Sequence, residues 1–323
     1  MRVLLLVQKQ QRIILERFYD SIARHCGDCD VAHLSDEQQA NLKAYFATVD
    51  TERYDRIIFF LRFKKEIRQR RFIRTLPNLV ILEHDAYQNY IIDKYQGKFS
   101  EHYRALPWAR VICSGYLLAQ RLRAEGFDAV FVAKGYDQQL LQNRGLQRDI
   151  ELGFLGSIES KTYDSRRQLL EQLAQREQLL VKRTQSGEEY AAMLNRIRFF
   201  ISADVGLGEY MIKNFEAMAC GCVVVAWNQG EAENKGLGLH DMENIVLYQD
   251  IDELQTKLQQ LRENSALAER IAAAGQALAE TRYSWEKLGA DVAAALQPPL
   301  RRKISSSILG LKRYHWAEPE QAD

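Results

Sequence analysis

Apolar and polar positions alternate along the chain in blocks that point to a repeated strand–helix order. Arg2–Val7 is an unbroken apolar run behind one arginine and predicts a fully buried first strand; apolar residues at helical spacing from about Gln11 to Ala23 predict the helix that follows. Further buried strands are predicted at Arg56–Leu61, Leu79–Leu82, Arg110–Ser114 and Ala129–Val132, with a helix over Tyr116–Glu125 that Gly126 stops. The polar stretch Gln142–Asp149 then interrupts the pattern. A second set begins at Ile150–Leu155, with further strands at Leu179–Val181, Phe199–Ile201, Val223–Val225 and Ile245–Tyr248. Helices are predicted between them at Ser165–Arg176 and Glu188–Ile197. Three more close the set, Ile251–Glu263, Ser265–Thr281 and one from Trp285 to near Leu296, which Pro298-Pro299 breaks. Strands alternating with helices predict an α/β chain with parallel sheets wrapped by helices, in two doubly wound domains. Their predicted bounds are 1–145 and 146–297, followed by a basic tail over 298–323.

A length of 323 residues suits two domains better than one core. Apolar content of 46% with 27% charged residues is that of a soluble globular protein. The net charge of +1 conceals two basic segments. Arg62, Lys64, Lys65, Arg68, Arg70, Arg71 and Arg74 face only Glu66, and Arg301, Arg302, Lys303, Lys312 and Arg313 precede the next acid, Glu318. Beside solvated helix faces, these segments read as a platform for an anionic acceptor or membrane surface; the tail reads equally as packing on the first domain. Nucleic acid is not expected, because no recognisable module accompanies the arginines. The first residues lack a cleavage site, and no apolar run reaches the ~18 residues that span a bilayer. The five cysteines, an odd number, suit a reducing compartment, so a cytoplasmic protein is expected, with the inner face of the cell membrane as its further location.

The candidate chemistry lies in Asp204–Val225. Gly206 and Gly208 permit a turn that side chains would block, and a helix predicted from about Glu209 aims free N–H groups at an anion. Glu216, among Phe215, Ala217, Met218 and Ala219, offers a carboxylate to hydroxyl groups farther along, while Lys213 is placed to pair with a diphosphate. Phosphates at one end and a diol beyond them describe a nucleotide or nucleotide-sugar. In the first domain, Glu83-His84-Asp85 follows a predicted strand; His84 and Asp85 are candidate catalytic groups or caps of the next helix. No set with metal-ligand spacing is present: Cys26-Gly27-Asp28-Cys29, beside His25, lacks a second ligand pair. No metal or other cofactor is expected.

The run Phe215–Val225 resembles the nucleotide-sugar motif of retaining GT-B glycosyltransferases, most of all the large bacterial group, family 4-like, that extends polysaccharide and lipopolysaccharide chains. Ser114–Asp137, Phe154-Leu155-Gly156-Ser157 with Lys161 beyond, and Tyr283-Ser284-Trp285 are similar to other stretches of that family in order and spacing, so the resemblance covers roughly 110–296. It implies a GT-B fold, two Rossmann-like domains facing a central cleft, and a metal-independent transfer of a hexose from a nucleoside diphosphate sugar to a hydroxyl of a surface glycan. The acceptor would be a glycan or lipid-linked glycan. It also implies that Glu216 holds the ribose hydroxyls, that Lys161 faces the diphosphate, and that His84 faces the sugar. The chain departs from the family pattern in having Ser157 where an arginine is common, and Gly208 where a second glutamate is common. Glu209 stands one position away, and either it or the Gly208-Glu209 backbone N–H groups take that role. The donor-site candidates are Gly156, Lys161, Gly208, Glu209, Tyr210, Lys213 and Glu216; the catalytic candidates are His84, Asp85 and Glu209. Two other readings are a sugar-nucleotide epimerase or hydrolase on the same frame, and a glycosyltransferase-like binding protein without catalysis. The base, the sugar and the linkage are not encoded in these motifs.

Overall fold

The computed structural model describes residues 1–159, 163–308 and 311–318. The chain divides into two compact units, Met1–Ser114 with Leu118–Val132 and Leu288–Asp323, and Gly115–Leu117 with Ala133–Lys287. Each unit is built on one parallel sheet.

The first sheet contains β1 (Arg2–Gln8), β2 (Asp28–Leu34), β3 (Arg56–Phe60), β4 (Leu79–Glu83), β5 (Arg110–Cys113) and β6 (Asp128–Phe131), in the order β2-β1-β3-β4-β5-β6. Residues Val3–Val7 and the whole of β4 are buried, as parallel strands covered on both faces must be. The edge strand β2, absent from the predicted elements, is half-exposed and carries Asp28 and Asp30 opposite Arg2 at 3.8 and 3.1 Å. Its polar residues hide it from a search for apolar runs.

The second sheet holds β7 (Ile150–Leu155), β8 (Leu179–Lys182), β9 (Ile197–Ser202), β10 (Val223–Trp227) and β11 (Val246–Tyr248), in the order β11-β10-β9-β7-β8. Strand order therefore reverses between β7 and β9. The predicted helix over Glu188–Ile197 ends instead at Leu194, and Ile197 opens β9. Asn195 causes the break: its side-chain amide donates to Gln142 O and Ala191 O at 3.0 Å, and its oxygen accepts Arg144 N at 2.7 Å. The segments through which the chain enters and leaves this unit are tied together, Tyr136 N to Tyr283 O and Trp285 N to Tyr136 O, both at 2.9 Å.

After the helix Trp285–Leu296, the chain ends in an antiparallel hairpin of β12 (Arg302–Ile308) and β13 (Leu311–Ala317). The hairpin contacts other residues of the first unit. The Tyr314 ring lies 5.7 Å from Trp108, and Arg301 donates to Gly126 O at 2.7 Å. Two arginines of the first sheet anchor the approach to the hairpin. Arg56 donates to Leu296 O and Pro298 O, and Arg110 to Ala295 O, Pro298 O and Pro299 O, so the last helix's terminal carbonyls are capped by guanidinium groups. No helix among the described residues is long and apolar enough to cross a membrane.

Within the first unit, Gly289 lets the last helix approach the helix Arg12–Cys26: a Cβ there would lie 2.2 Å from Ser21 Oγ and 2.7 Å from its carbonyl carbon. Gly289→Ala is expected to cost about 1–3 kcal/mol through overpacking, read as a lower urea midpoint. If the two helices did not meet, the substitution would instead stabilise by about 0.5–1 kcal/mol through helix propensity.

Candidate functional site

The reversal between β7 and β9 is where a doubly wound sheet presents a crevice at its carboxyl edge. Gly156 follows β7 directly, and a Cβ on it would lie 3.1 Å from Lys213 Cε and 3.3 Å from Nζ, so the bare backbone allows the Lys213 ammonium to lie against it. Across the reversal, β9 delivers Asp204, a buried hub. Its carboxylate accepts Arg166 Nη2 at 2.5 Å, Ser202 Oγ at 3.1 Å and Asn214 Nδ2 at 3.2 Å. One residue thus joins the end of β9 to the helices Asp164–Ala174 and Ile212–Ala219, on which Arg166 and Asn214 stand.

The turn after Asp204 uses both glycines in the left-handed region, Gly206 at φ +72° and Gly208 at φ +70°. The Gly208 N–H donates to Gln229 Oε1 at 2.9 Å, and Gln229 Nε2 donates to Asp204 O at 2.7 Å, so this predicted anion donor is engaged within the protein. Glu209 is fully buried and accepts from the ammonium of Lys134, which also lies 3.6 Å from Met211 Sδ. Tyr210 is buried as well, its hydroxyl donating to Asn234 Oδ1 at 2.6 Å. These inward anchors hold residues 209–210 out of helical geometry. The helix predicted from Glu209 therefore starts at Ile212, after an extended Met211, and no side chain caps its amino end.

Lys213 and Glu216 share one face of that helix with Tyr190, which the sequence did not single out. The Tyr190 hydroxyl donates to Glu216 Oε2 at 2.6 Å, and Lys213 Nζ lies 5.1 Å from the Tyr190 ring centre. Burial raises the Glu216 carboxyl above the usual range, against the lowering effects of Lys213 and the tyrosine hydrogen bond. Burial likewise lowers Lys213, opposed by Glu216 and reinforced by the charges of Arg166 and Arg183. A carboxylate acceptor, an ammonium and an uncapped helix start thus stand together beside Gly156. Tyr190, Arg166 and Asp204 complete this arrangement from three other segments, with Asn214 from the same helix, and no local motif announces Tyr190 or Arg166.

Glu233 is another buried acid that the motif did not reveal. It accepts Leu117 N at 2.7 Å and Tyr116 N at 3.3 Å, and burial, followed by the charge of Glu209, pushes its carboxyl up to about 7 against the pull of those N–H groups and Lys134. The remaining candidates lie elsewhere. His84 and Asp85 follow β4 at the carboxyl edge of the first unit's sheet; the His84 ring is half-buried, 5.0 Å from Phe60 and 6.2 Å from Phe18. Asp85 precedes the short 3-10 helix Ala86–Asn89 but its side chain makes no capping bond. The turn is held by Glu83, whose carboxylate accepts Asp85 N at 2.8 Å and is raised well above the ordinary range by burial, then by Asp85. Lys161 lies outside the described residues.

Residues 148–294 match a family model described as glycosyl transferase-like. No curated protein matches the chain by sequence. Among solved structures, the chain is similar to HepE of Anabaena in complex with UDP-glucose, at 16% identity and a TM-score of 0.67, over 92% of this chain and 99% of that one. It is also similar to a sucrose-phosphate synthase of Thermosynechococcus elongatus, at 14% identity and 0.64, over 91% and 98%. A glycosyltransferase of Rickettsia africae aligns at 11% identity and 0.61, over 92% and 97%. The two Rossmann-like units are those of a GT-B fold, and the second is similar in sequence to glycosyl transferase-like proteins.

Proposed function

We propose that the protein is a metal-independent, retaining glycosyltransferase that moves a hexose from a nucleoside diphosphate sugar to a hydroxyl of a bacterial surface glycan. The observation that carries this reading is the juxtaposition of Gly156, Lys213 and Glu216 at the strand-order reversal of the glycosyl transferase-like unit. In this reading Glu216, oriented by Tyr190, accepts the ribose hydroxyls. Lys213 and the open start of the helix Ile212–Ala219 take the diphosphate, with Lys161 assigned to it on the family resemblance. The positive field of Arg166 and Arg183 at Lys213 suits the same dianion. The Lys134–Glu209 pair and buried Tyr210 hold the glycine turn in place, so that the helix start is preset before donor arrives. His84 is assigned to the sugar on the family resemblance, donating a hydrogen bond as positive charge develops on the ring, and Asp85 to the acceptor hydroxyl. The bond from the anomeric carbon to the diphosphate breaks, the acceptor oxygen takes its place on the same face, and the hydroxyl proton leaves with the diphosphate. Because HepE was crystallised with UDP-glucose, uridine nucleotides are the first donors to test.

Glu216→Ala should weaken UDP-sugar binding by roughly ten- to a hundredfold in calorimetry, as expected for losing about 1.5–3 kcal/mol of hydrogen bonding to a charged group. Unchanged affinity would remove the assignment. Accepting the diol requires an ionised Glu216, whose carboxyl is raised above the ordinary 4.5. Donor affinity should therefore fall as pH drops through a midpoint above 4.5, and this acid limb should vanish in Glu216→Gln. His84→Ala should lower kcat by about 10²–10³-fold while leaving UDP affinity within a factor of two; a matching loss of both would place His84 in nucleotide binding instead.

A further inference from the structure

Two thiols of the first unit stand outside every role assigned above. Cys26 is the last residue of the helix Arg12–Cys26, and Cys29 is the second residue of β2. Between them Gly27 turns the chain at φ +80°, a conformation that a side chain would strain. Both thiols are free and partly exposed, whereas Cys113, Cys220 and Cys222 are buried.

The fold turns the two side chains towards each other. Phe18, Ile22 and Cys26 recur every four residues, and the first two are buried, so Cys26 continues the stripe that this helix turns inward. On β2, successive side chains take opposite faces. Asp28 and Asp30 both reach Arg2, at 3.8 and 3.1 Å, which fixes one face. His33 occupies the other: its Nε2 lies 3.1 Å from Glu16 Oε2 and its ring 6.1 Å from that of Tyr19, both on the helix. Cys29 has the parity of His33, and so projects towards the helix where it ends in Cys26. Hydrogen bonding between the two thiols is the main cause that lowers Cys26 and raises Cys29. The negative end of a helix dipole disfavours a thiolate at Cys26, so the lowering comes from its partner and not from its place on the helix.

We propose that Cys26 and Cys29 form a reversible disulfide by exchange with a low-molecular-weight disulfide. The Cys26 thiolate attacks one sulfur of that reagent, the reagent's S–S bond breaks, and one thiolate leaves. Cys29 then gives its proton to solvent, and its sulfur attacks Cys26 Sγ, expelling the second thiolate. The two cysteines are oxidised, and the reagent is reduced to two thiols. The new bond ties the end of the helix to the edge strand β2. It lies at the amino edge of the sheet, opposite the edge that carries His84, so the proposal stands apart from the transferase reading.

The test equilibrates the full chain with glutathione and glutathione disulfide at set ratios, then quenches, alkylates the remaining thiols and maps the peptides by mass spectrometry. A Cys26–Cys29 disulfide should form in the folded chain and disappear with dithiothreitol. Because the fold holds the thiols together, half-oxidation should need at least tenfold less oxidised reagent than in the urea-unfolded chain. In Cys29→Ser, Cys26 should accumulate as its mixed disulfide with glutathione. In Cys26→Ser, Cys29 should react at least tenfold more slowly than Cys26 does in that variant. If either variant does not fold by circular dichroism, the comparison of folded and unfolded wild-type chain decides alone. The proposal is overturned if glutathione adducts form without the intramolecular bond, if both thiols stay reduced at every ratio, or if folded and unfolded chains oxidise alike. Equal reactivity of the two variants would overturn Cys26 as the attacking thiol.

Discussion

The reversal of strand order between β7 and β9 is the constraint on which the second unit's chemistry depends. Neighbouring connections leave in opposite directions there, and the carboxyl edge stays open. Asp204 keeps the opening in one geometry. It draws Arg166, Ser202 and Asn214 onto one carboxylate, fixing two helices relative to the end of β9. Such a buried charge is costly unless its lone pairs are filled, and here several donors converge on it. The helix carrying Lys213 and Glu216 is positioned through this anchor and through the glycine turn before it.

Electrostatics at Lys213 and Glu216 is dominated by burial. Glu216 and Lys213 carry opposite charges, yet burial raises one and lowers the other, so mutual attraction only partly offsets desolvation. A ligand bringing hydroxyl donors to the carboxylate and an anion to the ammonium supplies what each lacks. Lys134 and Glu209 are a different case. They meet in the interior and tether the turn, so that placement of Lys213 depends on residues well outside its own motif.

In the first unit, two arginines perform a comparable structural task. Arg56 and Arg110 stand at the starts of β3 and β5, and their guanidinium groups reach the carbonyls that close the last helix. The chain then has to turn back over the amino edge of the sheet, which is why Trp108 meets Lys303 and Tyr314 there. A sheet edge with no role in the donor reading thereby acquires a walled cavity, lined by Arg56, Trp108 and Lys303 among others.

Apolar runs and helix periodicity were enough to find the buried strands of both sheets, because a parallel strand covered on both faces must be apolar throughout. They were not enough for β2, whose edge position tolerates Asp28 and Asp30, nor for the C-terminal hairpin, whose mixed residues read equally as a surface tail. At the site, Gly156, Lys213 and Glu216 were legible because backbone access, charge and helix spacing are local properties. Where the helix begins was not. Glu209 and Tyr210 look like helix residues, but Lys134 and Asn234, distant in sequence, draw them inward and delay the start to Ile212. The sequence by itself determined the strands, the glycine turn and the place of Glu216 on the helix that follows it. Only the tertiary structure decided that Tyr190 orients that acid, that Asp204 gathers the helices, and that Arg56 shares a cavity with the tail, since each is a contact between segments that no local pattern encodes.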